Sequence, residues 1–214
     1  MNLRLEFVIF DADGVLFESA ESNIAYYNAI FKIIGEPALS PQEEHDCVFM
    51  AASQVFALRA NGDAARVAQM QQIGSKLDFT QFFQLLRPPF PLRPFLAELK
   101  RRYRLGLATN RSATIPAVLE YLEIADLFDA VASARDKIAP KPAPDMLELC
   151  LERAGARPEA SVYVGDSSFD QQAAAAARIH FIGLGNQVRC GNLIERLSDL
   201  PAALEKLSDP PPIV

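Results

Sequence analysis

Apolar residues arrive in two rhythms along this chain, and their alternation predicts its architecture. Short apolar runs at 5–10 (LEFVIF), 104–109 (RLGLAT), 129–133 (DAVAS), 161–165 (SVYVG) and 179–185 (IHFIGLG) read as strands. Runs that are apolar on both faces suit strands buried inside a parallel sheet. Between them, 92–103, 112–123, 144–155 and 168–178 carry apolar residues three and four apart and read as helices. Strand–helix alternation of this kind predicts an α/β fold, a doubly wound parallel sheet with crossover helices. Gly35 and Gly155 stand where helices should stop.

One stretch breaks the alternation. From Ala20 to Leu86 only helical patterns appear, at 20–35, 40–61, 63–77 and 79–86. Ser40, Pro41 and Glu43 form a capping-box start. The stretch ends in the stiff segment RPPFPLRP, residues 87–94. The pattern predicts a small all-helical domain, 17–87, inserted after the first strand of a core formed by 1–16 and 88–214.

Composition narrows the possibilities. With 214 residues, half of them hydrophobic, the chain can bury one sizeable core and a smaller insertion. A net charge of −6 argues against a nucleic-acid partner. No apolar run approaches the length that spans a bilayer, and the N-terminus lacks the pattern of a secretory signal, so no membrane partner is expected. Cys47, Cys150 and Cys190 are scattered and odd in number, the pattern of reduced thiols in a cytoplasmic protein. Neither state of association, monomer or homodimer, is favoured by the sequence.

The chemistry lies at strand ends. Asp11 and Asp13 follow the first strand, Thr109 and Asn110 close the second, and Asp166 and Asp170 follow SVYVG. Lys141, in KPAPD, precedes a helix start. In an open parallel sheet ligands bind beyond the carboxyl ends of the strands, so these groups should converge. Four carboxylates on one edge repel unless a cation sits among them. An all-oxygen donor set without His or Cys suits Mg2+, which takes one or two carboxylates and keeps places for water and phosphate. Thr109, Asn110 and Lys141 could then hold a phosphoryl group, with a carboxylate as nucleophile and a second as acid and base. Competing motifs fail. DADG has its glycine too early for a calcium loop and Ser22 where Glu should stand, and no phosphate-binding loop of the GxxxxGK[ST] type exists.

DADGV (11–15), TN (109–110), KPAPD (141–145) and GDSSFD (165–170), in this order, resemble the motifs of the haloacid dehalogenase superfamily, in its phosphoglycolate phosphatase and β-phosphoglucomutase-like branch. The resemblance covers essentially the whole chain and implies a Rossmann-like core with a helical cap. It implies Asp11 as nucleophile, Asp13 as acid and base, Thr109 on the phosphoryl oxygens and Lys141 on nucleophile and phosphate. The metal would be held by Asp11, the backbone carbonyl of Asp13 and Asp166, supported by Asp170. The expected activity is Mg2+-dependent hydrolysis of a small phosphorylated metabolite. The alternatives are phosphoglucomutase-like transfer and, disfavoured by Asp13 with Asp166, haloacid dehalogenation. Arg111 is read either as a substrate contact or as a solvated helix-start residue, and Glu18, Arg59, Asn61 and Arg66 as guesses for substrate contacts.

Overall fold

A computed structural model describes residues 4–47, 50, 52–111 and 114–208. Among them are six parallel strands: β1 (Phe7–Phe10), β2 (Arg104–Thr109), β3 (Ala130–Ser133), β4 (Ser161–Gly165), β5 (His180–Leu184) and β6 (Leu193–Ile194). They lie in the order β3-β2-β1-β4-β5-β6. All four residues of β1 are fully buried, as befits a central strand flanked by β2 and β4. The order reverses direction between β1 and β4, the switch point at which doubly wound sheets form their ligand crevice.

The helices are α1 (Ala20–Ile33), α2 (Pro41–Cys47), α3 (Ala52–Arg59), α4 (Ala64–Lys76), α5 (Leu92–Lys100), α6 (Ile115–Tyr121), α7 (Asp145–Ala154), α8 (Ser168–Ala176) and α9 (Leu200–Ser208). None is long and apolar enough to cross a membrane. On one face of the sheet Phe7, Ile9, Ala108 and Tyr163 pack against Met146, Leu147 and Cys150 of α7 and Ala173 and Ala174 of α8. The small side chains of the alanine run let α8 lie close to the strands. Gly155 ends α7 with φ of 57°, and Gly35 follows α1 with φ of 76°, the left-handed conformation glycine adopts freely.

The chain divides into two compact units, Met1–Glu18 with Pro88–Val214, and Ser19–Arg87. The second has its own core of Tyr27, Ile30, Phe31, Val55, Phe56 and Met70. Its expected helix over 40–61 is two helices, with residues 48, 49 and 51 outside the described set. Ser40 and Glu43 cap α2 reciprocally, the Ser40 amide donating to Glu43 at 2.7 Å. The expected helix at 79–86 is a 3-10 helix, Phe79–Leu85, capped by Asp78. Three residues per turn stack positions i and i+3, which sets the Phe79 and Phe82 rings edge to face at 5.7 Å.

Candidate active site

The Asp11 amide donates to Val164 O at 2.9 Å, extending the β1–β4 ladder one residue past the strand. This fixes the Asp11 backbone at the switch point. The chain then doubles back through a tight turn in which Leu16 N bonds Ala12 O at 2.9 Å and Gly14 N bonds Phe17 O at 3.0 Å. Gly14 is required twice over. Its φ is 77°, and a Cβ there would stand 2.1 Å from Asp166 Oδ2. Gly165, at the end of β4, lies against Asp170 in the same way, with 2.4 Å left for a Cβ. Both glycines make room for carboxylates.

Lys141 ties the site together. Its ammonium, almost fully buried, stands 2.8 Å from Asp11 Oδ1, 2.7 Å from Asp170 Oδ1 and 2.8 Å from the Tyr163 hydroxyl. Asp170 is saturated by protein donors. Oδ1 takes Lys141 and Tyr163, and Oδ2 takes the Ser167 amide at 3.0 Å and hydroxyl at 2.5 Å. Asp11 differs: its buried Oδ1 has the ion contact with Lys141 but no directed hydrogen bond.

The electrostatics follow from that asymmetry. Burial pushes Asp11 up to about 7, with Lys141 opposing and the Asp170 charge adding to the rise. Burial is also the largest single influence on Asp170, but Lys141, Ser167 and Tyr163 together outweigh it and hold the carboxyl below its ordinary value. Burial also raises Asp166 to about 6, and the charges of Asp170 and Glu18 add to the effect. Burial alone would lower Lys141; Asp11 and Asp170 reverse this and raise it. One lysine cannot neutralise every carboxylate here, and Asp11, with the weakest compensation for its burial, is the group raised furthest.

Carboxylate oxygens of Asp11, Asp166 and Asp170 lie within 4.8 Å of one another and could hold a metal ion. The donor set fits a hard divalent cation: all oxygen, negative in sum, with one buried oxygen lacking a directed partner. Asp11 and Asp166 are the free donors of the set. Asp170, with its lone pairs committed, supports them. The Asp13 carboxylate is not in this cluster, so side-chain ligation by Asp13 is set aside and only its backbone carbonyl is left as an expected ligand.

Asp13 is gripped instead by Arg111, whose Nε donates to Oδ2 at 3.1 Å and whose second terminal nitrogen donates to Oδ1 at 2.7 Å. Sequence reasoning left Arg111 between two uses and found neither the pairing nor its geometry. Thr109 is buried at the end of β2, its hydroxyl accepting the Arg111 amide at 3.1 Å. Asn110, expected on the phosphate, brackets the Lys141 backbone: Lys141 N donates to Oδ1 at 2.9 Å and Nδ2 donates to Lys141 O at 3.3 Å. These two bonds dock the lysine loop to the end of β2. Tyr163 was missed outright, although a hydroxyl mid-strand, two residues before the strand-end glycine, was a visible signal. Arg59 and Arg66, guessed as substrate contacts, both bind Glu36 within the helical unit.

Buried carboxylates and a shared lysine around an all-oxygen cation site, at the switch point of a doubly wound sheet, define a phosphate-handling enzyme. A family model described as haloacid dehalogenase-like hydrolase matches residues 8–184, and the chain belongs to that family. The phosphoglycolate phosphatase of Shigella sonnei is 38% identical over 226 residues, covering 94% of this chain and 89% of that one. A haloacid dehalogenase superfamily hydrolase of subfamily IA from Geobacter sulfurreducens superposes with a TM-score of 0.81 at 28% identity, covering 94% of this chain and 96% of that one. A β-phosphoglucomutase from Clostridium difficile shares the fold at TM-score 0.78 and 17% identity, covering 95% and 97%. Within the family the chain stands as a phosphoric monoester hydrolase.

Proposed function

We propose that this chain is a Mg2+-dependent phosphatase that hydrolyses a small phosphorylated metabolite through an aspartyl-phosphate on Asp11. The observation that carries the reading is Asp11 itself. It is a buried carboxylate at the end of the central strand, held through Oδ1 against the Lys141 ammonium at 2.8 Å. A buried carboxylate at the switch point, its charge offset by a lysine, is placed to act as a nucleophile.

The steps use this chain's own groups. Thr109 Oγ1 and Lys141 Nζ hold the phosphoryl oxygens and keep phosphorus in line with Asp11. Asp11 attacks, an oxygen–phosphorus bond forms, and the ester bond breaks as Asp13 gives its proton to the departing alkoxide. Water then attacks the aspartyl-phosphate while Asp13 takes back a proton, freeing inorganic phosphate and the Asp11 carboxylate. Mg2+, held by Asp11, Asp166 and the Asp13 carbonyl with Asp170 behind them, would offset the charge that develops on the phosphoryl group. Tyr163 and Asp170 keep the Lys141 ammonium aimed between nucleophile and phosphate.

The helical unit, residues 19–87, is assigned the role of the cap that selects the substrate. The name of the Shigella relative makes phosphoglycolate the first compound to test. The experiment is a panel of phosphorylated metabolites with Mg2+, followed by release of inorganic phosphate, which also separates hydrolysis from transfer between hydroxyls. Release that is lost on chelation and in Asp11→Asn supports the reading. Release that survives Asp11→Asn, or none from any compound, contradicts it.

A further inference from the structure

We propose that Arg111 is a positioning residue for Asp13: its guanidinium locks the Asp13 carboxylate in the plane from which it serves first the leaving group and then the water. The inference rests on the acid–base reading of Asp13 given above.

Asp13 needs such a device. It sits on the turn after β1, its side chain is 35% exposed, and its carboxylate lies outside the group formed by Asp11, Asp166 and Asp170. A carboxylate so placed rotates readily about its terminal torsion, whose preference is broad and two-fold. Proton transfer requires an oxygen held within hydrogen-bond reach of the reacting atom, and misplacement by about an ångström can reduce the rate ~100-fold.

Arg111 supplies the constraint because it is itself immobilised. Its side chain is only 9% exposed. Its first terminal nitrogen donates to Thr114 Oγ1 at 3.1 Å, its backbone amide donates to Thr109 Oγ1 at 3.1 Å, and its guanidinium carbon lies 5.7 Å from the Phe17 ring centroid. Phe17 is joined to Asp13 by a β-bridge, so the turn that carries the carboxylate also carries the ring beside the guanidinium. The two-pronged contact at 3.1 and 2.7 Å fixes the carboxylate plane as well as its position. The fork places one hydrogen on each carboxylate oxygen. A lysine would bring charge without the fork and would leave the plane free to turn. The same residue links the end of β2, through Thr109, to the end of β1, so the phosphoryl-binding hydroxyl and the acid–base carboxylate share one brace.

The test is a cycle of Arg111→Met, Arg111→Lys, Asp13→Ala and the double variant Asp13→Ala/Arg111→Met, in the full chain with Mg2+. With the best metabolite found, both Arg111 variants should lower kcat by about 10- to 100-fold with KM within about threefold of the parent. Mg2+ affinity by calorimetry should stay within about threefold, which a collapsed site would not allow. In the Asp13→Ala background, the rate constant of the nitrophenolate burst from p-nitrophenyl phosphate should not change further when Arg111 becomes Met, because nothing is left to position. A full additional loss in that background, or a rise in KM at constant kcat, would mean that Arg111 acts on the substrate directly and would overturn the proposal. Arg111→Lys, which keeps charge and stem, covers the case in which Met unfolds the turn; full activity in a folded Lys variant also overturns it. A crippled Asp13→Ala beside a fully active Arg111→Met defeats this inference alone. A harmless Asp13→Ala defeats the acid–base reading, and this inference falls with it.

Discussion

Removing divalent metal should make the stability of this protein fall steeply as pH rises, and Mg2+ should reverse that fall chiefly at the alkaline end. Burial raises Asp11 from 3.8 to about 7 and Asp166 to about 6, so the folded chain holds protons that the unfolded chain has already released. Stability must then decrease as pH climbs from about 4 through 7. For Asp11, the span from 3.8 to about 7 at ~1.4 kcal/mol per pH unit is on the order of 4 kcal/mol. Asp166 acts in the same direction, but both groups respond to the Asp170 charge, so its share is not added. The other two members of the cluster do not disturb this window. Asp170 is lowered, so its contribution is complete above its unfolded value and lost only in stronger acid; Lys141 is raised, so its contribution persists until strongly alkaline pH. About two pH units of the Asp11 span fall between pH 5 and pH 8, or ~3 kcal/mol, so at roughly 2–4 °C per kcal/mol for a chain of this length Tm in excess chelator should drop by about 6–11 °C. A cation binds the deprotonated carboxylates, so Mg2+ should restore most of that loss at pH 8 and little at pH 5. Thermal melts by circular dichroism at the four combinations decide it. A chelated Tm that is flat or rises with pH, or equal Mg2+ stabilisation at both ends, would refute the placement of protons on Asp11 and Asp166.

Three substitutions probe other parts. Gly14→Ala puts a methyl 2.1 Å from Asp166 Oδ2 at a φ of 77°, so Mg2+ affinity should fall about 10- to 100-fold, with ~1–2 kcal/mol of destabilisation from the left-handed backbone; unchanged affinity by calorimetry counts against Asp166 as a ligand. Tyr163→Phe removes the hydroxyl between Lys141 and Asp170 and should destabilise by about 1–3 kcal/mol while lowering kcat less than Lys141→Met does; a kcat equal to that of Lys141→Met would give the hydroxyl a direct part in the chemistry. Arg59→Met breaks the contacts of Arg59 with Glu36 and Glu43 and its stacking over Phe31. It should lower Tm yet leave turnover of p-nitrophenyl phosphate within about twofold, as expected if its contacts serve the helical unit's own packing; a turnover collapse at intact Tm would make Arg59 a substrate contact after all.

The sheet was legible because β1, β2 and β4 are buried on both faces and therefore read as unbroken apolar runs that stop at polar strand ends. That stop is also why Asp11, Thr109 and Asp166 stood out. β6 was not legible, since two residues carry no period, and the C-terminal helix Leu200–Ser208 went unassigned. The 3-10 geometry of Phe79–Leu85 depends on how neighbouring rings pack, which an apolar spacing does not encode. Within the site, residue types were visible but partners were not. Asp13 and Arg111 are 98 positions apart, and only the fold brings the fork onto the carboxylate. Asn110 showed donors for a phosphate, but its contacts with the Lys141 backbone, 31 positions away, were not visible. Tyr163 resembled any core aromatic until Lys141 and Asp170 were found at its hydroxyl.

The central claim is that Asp11 becomes covalently phosphorylated, and trapping that species tests it most directly. Asp13→Ala, which should form the aspartyl-phosphate from p-nitrophenyl phosphate and hydrolyse it slowly, is mixed with that substrate and Mg2+, quenched in acid within the burst, digested and examined by mass spectrometry. The expected result is a peptide containing Asp11 heavier by one phosphoryl group, labile to hydroxylamine and absent when Asp11→Asn is added. A phosphoryl group on any other residue, or a nitrophenolate burst with no adduct on the Asp11 peptide, would contradict it.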